Sequence, residues 1–122
     1  MVHAVQTPGQ FFWATGLLSS FLDNAPTYLA FFHNLLGRFG PGLPQAEALR
    51  ELIARHDIFL QAVAAGSVFM GANTYIGNAP NFMIKAIAED SGVAMPSFFG
   101  YILRWSAPIL LPVFALLGWL FY

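Results

Sequence analysis

The stretch Phe21-Leu22-Asp23-Asn24-Ala25-Pro26-Thr27-Tyr28-Leu29 aligns without a gap to Tyr75-Ile76-Gly77-Asn78-Ala79-Pro80-Asn81-Phe82-Met83. Asn-Ala-Pro is identical in the two, and every flanking pair keeps its character except Asp23 against Gly77. Each copy lies inside a long apolar run. From Phe11 to Leu36 the only ionisable residues are Asp23 and His33, and Ile58 to Ile84 carries no charge at all. Both runs exceed the roughly 20 residues that a spanning helix needs. Neither reads as one continuous helix. Proline lacks a backbone donor and clashes with the preceding turn, and glycine and asparagine favour non-helical geometry. The first run is therefore expected to break at Asp23 to Thr27, and the second at Gly71 to Thr74 and again at Gly77 to Asn81. The resulting halves are too short to cross a bilayer independently.

Composition points the same way. Of 122 residues, 57% are apolar, 16% aromatic and 9% charged, against about 25% charged in an ordinary soluble domain. A soluble domain this small must cover a large surface with polar atoms, and eleven charged side chains do not suffice. An integral membrane protein is expected. The net charge of −1 and the lack of a basic cluster exclude nucleic acid as a partner. The absence of cysteine excludes disulfide scaffolds and thiol catalysis. Gly66 to Gly71 has the spacing of a phosphate-binding loop, but Ala72-Asn73 follows where Lys-Ser/Thr is required. With no metal-binding histidine pair and no nucleophile elbow, the chain does not read as an enzyme. Met1 to Gln10 has neither the basic residues nor the cleavage pattern of a signal peptide.

Outward from the two runs, Ser106 to Tyr122 is uncharged and extends back to Ser97 if Arg104 snorkels to an interface. This is the plainest transmembrane candidate, with Pro108 and Pro112 as kinks or first-turn residues and Trp105, Trp119 and Tyr122 as interfacial anchors. Between the runs, Pro44 to His56 reads as an amphipathic surface helix. Leu49, Leu52, Ile53 and His56 form its apolar stripe, and Glu51 and Arg55 are in favourable i, i+4 order. The expected architecture is an all-α polytopic membrane protein: re-entrant helical hairpin 11–36, surface helix 44–56, broken transmembrane helix 57–90, terminal transmembrane helix 97–122. The arginines and lysine are too evenly spread to fix its orientation.

At membrane depth, irregular backbone persists only when buried in protein or lining a watery cavity. A helix broken there aims opposite helix ends at one point, among freed carbonyls and side-chain oxygens. Such a point binds ions. Asn24 and Asn78, recurring in one context, are the leading candidates, with their oxygens suited to Na⁺; helix-tip capping or interhelical bonding is the alternative. Asp23 is the only carboxylate inside an apolar run and reads as functional by default, or as the cap of the half-helix that follows. Thr27, Asn73, Thr74 and Asn81 complete the candidate set. Ser19, Ser20 and Ser67 read as close-approach residues. Lys85 reads as pairing with Glu89, and His33 and His56 as structural. No cofactor is implied beyond Na⁺ as a transported or coupling ion.

The paired Asn-Ala-Pro stretches, with Gly71-Ala-Asn-Thr and Pro96-Ser-Phe-Phe-Gly100, resemble the C-terminal part of the ion transporter superfamily. The nearest branch is that of citrate carriers and sodium:proton antiporters, related to arsenite permeases. The resemblance implies Asp23, Asn24 and Thr27 at a re-entrant tip, and Asn73, Thr74, Asn78 and Asn81 in the unwound part of a broken helix. It implies secondary transport across the cell (inner) membrane by a multi-pass protein, with sodium:proton antiport expected first and cation-coupled carriage of citrate or another small carboxylate as the alternative. Family members carry two inverted repeats and a dimerising scaffold. This length would hold about half of one transport domain, so the remaining half is expected in the same or another chain, with a homodimer at full length. A small membrane subunit that docks on a partner without transporting is the alternative from another class.

Overall fold

The computed structural model describes residues 5–122, and among these the secondary structure is helical, with no strand. The first helix, α1 (Pro8–Ser19), starts at a capping box. Thr7 Oγ1 accepts from the Gln10 amide at 3.3 Å, Gln10 Oε1 accepts from the Thr7 amide at 3.1 Å, and Pro8 opens the helix where its missing N–H costs nothing. Helix α2 (Asn24–Phe39) is capped by Asp23, whose carboxylate accepts from the Asn24 amide at 2.7 Å. It ends at Gly40. Helix α3 (Gln45–Arg55) follows Pro44 and places Glu47 in its first turn and Arg55 in its last, in keeping with the helix dipole; Arg55 also reaches Glu51 at 3.2 Å.

At His56 the chain turns through 94° into α4 (Asp57–Phe69), which tightens into a 3₁₀ turn over Met70–Asn73. Helical geometry is then lost until α5 (Ala79–Asp90). The last helix, α6 (Phe98–Phe121), is 24 residues long and is, among the described residues, the one helix long and apolar enough to cross a membrane. Prolines do not divide it. Residues Ile102–Leu110 instead take the wider π register, with the Leu111 amide donating to the Ser106 carbonyl five residues back, and Pro108 sits inside that stretch. The wider ring removes the clash that proline makes with the carbonyl four residues before it.

The core forms where α1 lies along α4. Phe11 and Phe12 from α1 meet Ala62, Val63 and Met70, with Leu35 and Leu36 from α2, Ala48 and Leu52 from α3, and Phe114 from α6 closing the cluster. Gly66 permits the approach: a Cβ there would collide with the Phe12 carbonyl oxygen and stand 3.3 Å from the Gly16 nitrogen.

The stripe expected on α3 is rotated. Ala48 and Leu52 are buried, Leu49 is half-buried, and Ile53 is 54% exposed. The cause is a small-residue contact: Ala48 packs directly on Gly40, which draws α3 onto the end of α2 by its alanine face. His56 takes the structural role expected of it, stacked on Phe39 with ring centroids 4.0 Å apart. No residue of α5 is buried, and Phe82, Met83, Ile84 and Ile87 are all exposed. Apolar surface of that extent marks contact with lipid or other protein.

Gly66→Ala should destabilise the protein by about 1–3 kcal/mol through overpacking against Phe12. Gly37→Ala, on α2 with nothing within 4 Å of the added methyl, should stabilise it by roughly 0.5–1 kcal/mol through helix propensity. Unfolding midpoints in detergent would read both signs.

Candidate functional site

The two Asn-Ala-Pro turns meet. With its amide oriented so that both ends are satisfied, Asn24 Nδ2 donates to the Gly77 carbonyl at 3.0 Å and to the Ser67 carbonyl at 3.2 Å. Gly77 is glycine because the turns are in backbone contact. A Cβ on it would lie 2.6 Å from the Gly71 carbonyl oxygen and 2.9 Å from those of Ser19 and Ser20. This is why the one mismatch of the repeat sets Gly77 against Asp23: the first turn has room for a capping side chain, the second does not.

Between Phe69 and Ala79 the backbone leaves α-helical geometry, through a 3₁₀ turn at Met70–Asn73, and side chains from the α1 turn, α2, α5 and α6 supply donors. Ser20 Oγ lies 3.0 Å from the Met70 carbonyl, sharing its proton with the Gly16 carbonyl of its own helix. Asn81 Nδ2 donates to the carbonyls of Gly71 at 3.0 Å and Thr74 at 3.1 Å. Tyr101 and Ser106, both on α6, donate to the carbonyls of Ala72 at 2.9 Å and Asn73 at 2.5 Å. Thr74 Oγ1 donates to the Ser20 carbonyl and accepts from the amides of Ile76 and Gly77. Ser19 Oγ donates to the Ser67 carbonyl at 2.6 Å. Tyr75 stacks on Tyr101, centroids 4.8 Å apart, and its hydroxyl donates to the Pro96 carbonyl at 2.9 Å.

Of the candidate residues, the structure brings Asn24, Asn73, Thr74 and Asn81 into this network. Asn73 is 5% exposed and donates from Nδ2 to Ser20 Oγ at 3.0 Å. Asn78 stands at the start of α5 and makes no side-chain capping bond. Thr27 is buried, but its hydroxyl turns back to the Asp23 carbonyl within its own helix. Asp23 is exposed and occupies the cap position of α2. Ser19 and Ser20 do more than allow close approach, since their hydroxyls hold the carbonyls of Ser67 in the last turn of α4 and of Met70 just beyond it. Ser106 and Tyr101 carry no signal in the sequence, because their partners lie about thirty residues away. Lys85 pairs with Glu89 at 2.7 Å and lies over the Tyr75 ring. His33 Nδ1 contacts the Leu29 carbonyl at 2.8 Å, and no group of three or more acidic or histidine residues placed to hold a metal occurs among the described residues.

The family model described as putative citrate transport matches residues 1–122. No curated protein and no solved structure matches the chain. The matched family is one of transport proteins, not of enzymes.

Because Asn24 joins the turns while Asp23 only caps, the neighbours should respond differently. Asn24→Ala should cost about 1–3 kcal/mol by leaving the buried Gly77 carbonyl without its donor. Asp23→Asn should stay within about 0.5 kcal/mol, since asparagine caps as well as aspartate. Denaturant titration of the purified variants tests the contrast.

Proposed function

The chain belongs to the family of putative citrate transport proteins, and from that premise we propose that the paired Asn-Ala-Pro turns form the solute site of a cation-coupled carrier for citrate or a related carboxylate. The observation that carries this reading is the contact between the turns, Asn24 to Gly77. Helices α2 and α5 both begin there, and helix N-termini favour an anion. The Asn73 amide oxygen, buried and without a partner among the described residues, suits a partly dehydrated cation such as Na⁺. Asn78, without a bond to its own helix, is the side chain freest to meet solute.

In this reading 11–36 is a re-entrant hairpin, 57–90 a broken transmembrane helix and 97–122 a membrane-spanning helix of a multi-pass inner-membrane protein. The exposed face of α5 packs against the rest of the carrier, which works as a homodimer. Asp23 supports a second reading, sodium:proton exchange, because it is an exposed carboxylate at the edge of the turns. A carboxylate in that position repels a carboxylate substrate but suits a site that alternates between a proton and Na⁺.

Citrate uptake into vesicles reconstituted with the assembled carrier should be faster under an inward Na⁺ gradient than with choline. Asn78→Ala, which removes no bond of the fold, should lower that uptake about tenfold or more. If citrate stays outside while a Na⁺ gradient drives proton movement that Asp23→Asn abolishes, exchange replaces citrate carriage. Vesicles that support neither flux refute both.

A further inference from the structure

We propose that Ser106 is a positioning residue for this solute site, fixing the unwound segment so that the Asn73 amide oxygen is held ready for the coupling cation. The inference rests on the carrier reading above and adds to it a residue on the terminal helix, which composition marks only as a membrane anchor.

Ser106 is 1% exposed, and its hydroxyl donates to the Asn73 carbonyl at 2.5 Å. The Asn73 side chain is fixed independently from the opposite side, Nδ2 donating to Ser20 Oγ on the residue that follows α1. One residue is thus gripped by its main chain from α6 and by its amide nitrogen from the α1 turn. What remains is Oδ1, a buried acceptor without a protein partner among the described residues. Buried polar atoms are almost always paired, so an orphan held this firmly calls for an explanation. The other orphan, Thr15 Oγ1, is a hydroxyl inside α1 and belongs to no such double grip.

An acceptor with no hydrogen to offer is the atom a cation takes in place of a water of hydration. Pairing it internally would remove it from the site, whereas leaving it mobile would weaken coordination. Holding the residue at two other atoms does neither. Supporting partners of this kind govern affinity without touching the ion.

The π register makes Ser106 specific for the task. Residues 102–110 follow i to i+5 bonding, and π stretches recur at functional sites. Returning that stretch to an α-helix changes its register by one residue, which rotates the flanking side chains by roughly 100° about the axis. Ser106 and Tyr101, which hold adjacent carbonyls of Asn73 and Ala72, would then no longer face the unwound segment together.

The test is the Na⁺ dependence of citrate uptake by the reconstituted carrier carrying Ser106→Ala or Ser106→Cys, the latter nearly the same size with a weaker donor. Half-saturating Na⁺ should rise about tenfold in S106A and by an intermediate factor in S106C, while the maximal rate at saturating Na⁺ stays within about twofold. Ser106→Thr, which keeps the hydroxyl, should return the half-saturation towards wild type. A lower maximal rate with unchanged half-saturation, or no change in either variant, overturns the inference and leaves the carrier reading standing. Should S106A fail to fold, S106C decides, and an unaltered Na⁺ half-saturation there is refutation. Wild-type vesicles that take up no citrate at any Na⁺ concentration refute the carrier reading, and the role of Ser106 falls with it.

Discussion

A backbone that leaves helical geometry away from water must find a donor for every carbonyl it frees, and the arrangement of this protein follows from that requirement. The segment between Phe69 and Ala79 gives up α-helical bonding, and the carbonyls of Met70, Gly71, Ala72, Asn73, Thr74 and Gly77 are each met by a side chain. The donors come from the α1 turn, from the start of α2, from α5 and from α6. No one neighbour could supply them. The unwound segment is therefore a second point, beside the apolar cluster around Phe12 and Val63, at which otherwise separate helices meet.

Steric permission comes from small residues placed where donors must reach carbonyls. Gly66 lets α1 lie on α4, and Gly77 lets the second turn enter against Ser19 and Ser20. With the backbones this close, serine hydroxyls can bridge directly from one chain segment to the other. Longer donors would hold the segments apart and admit solvent. The apolar core sets the helices side by side, and the glycines then bring the polar turns within hydrogen-bonding distance.

Helix ends at the two turns were legible because proline, glycine and asparagine act locally. The repeated Asn-Ala-Pro stretch points to Asn24, and the polar breaks at Gly71 to Thr74 and Gly77 to Asn81 point to Asn73, Thr74 and Asn81. Their mutual contacts were not legible, since Thr74 reaches Ser20 across more than fifty residues and no local pattern encodes that pairing. The α3 stripe was misread by one position because Ile53 scores as core on hydrophobicity, whereas the Gly40–Ala48 contact, invisible to periodicity, sets the packing face. Ser106 is likewise hidden by distance, its partner Asn73 lying 33 residues away, and by its place on the helix. Its direction depends on a π stretch, and a period of 3.6 assigns it to another side of the helix.

The broken symmetry of the repeat ties these points together. Both turns begin a helix with Asn-Ala-Pro, yet the first carries its own carboxylate cap and the second has neither space for one nor a capping bond from Asn78. The positive end of α2 is partly neutralised by Asp23, while that of α5 is not. Two turns of like sequence thus present unlike fields at one meeting point: a helix N-terminus capped by the Asp23 carboxylate at α2, and one without a side-chain cap beside Asn78 at α5. The exclusion of a side chain at Gly77 is the packing constraint that creates this division.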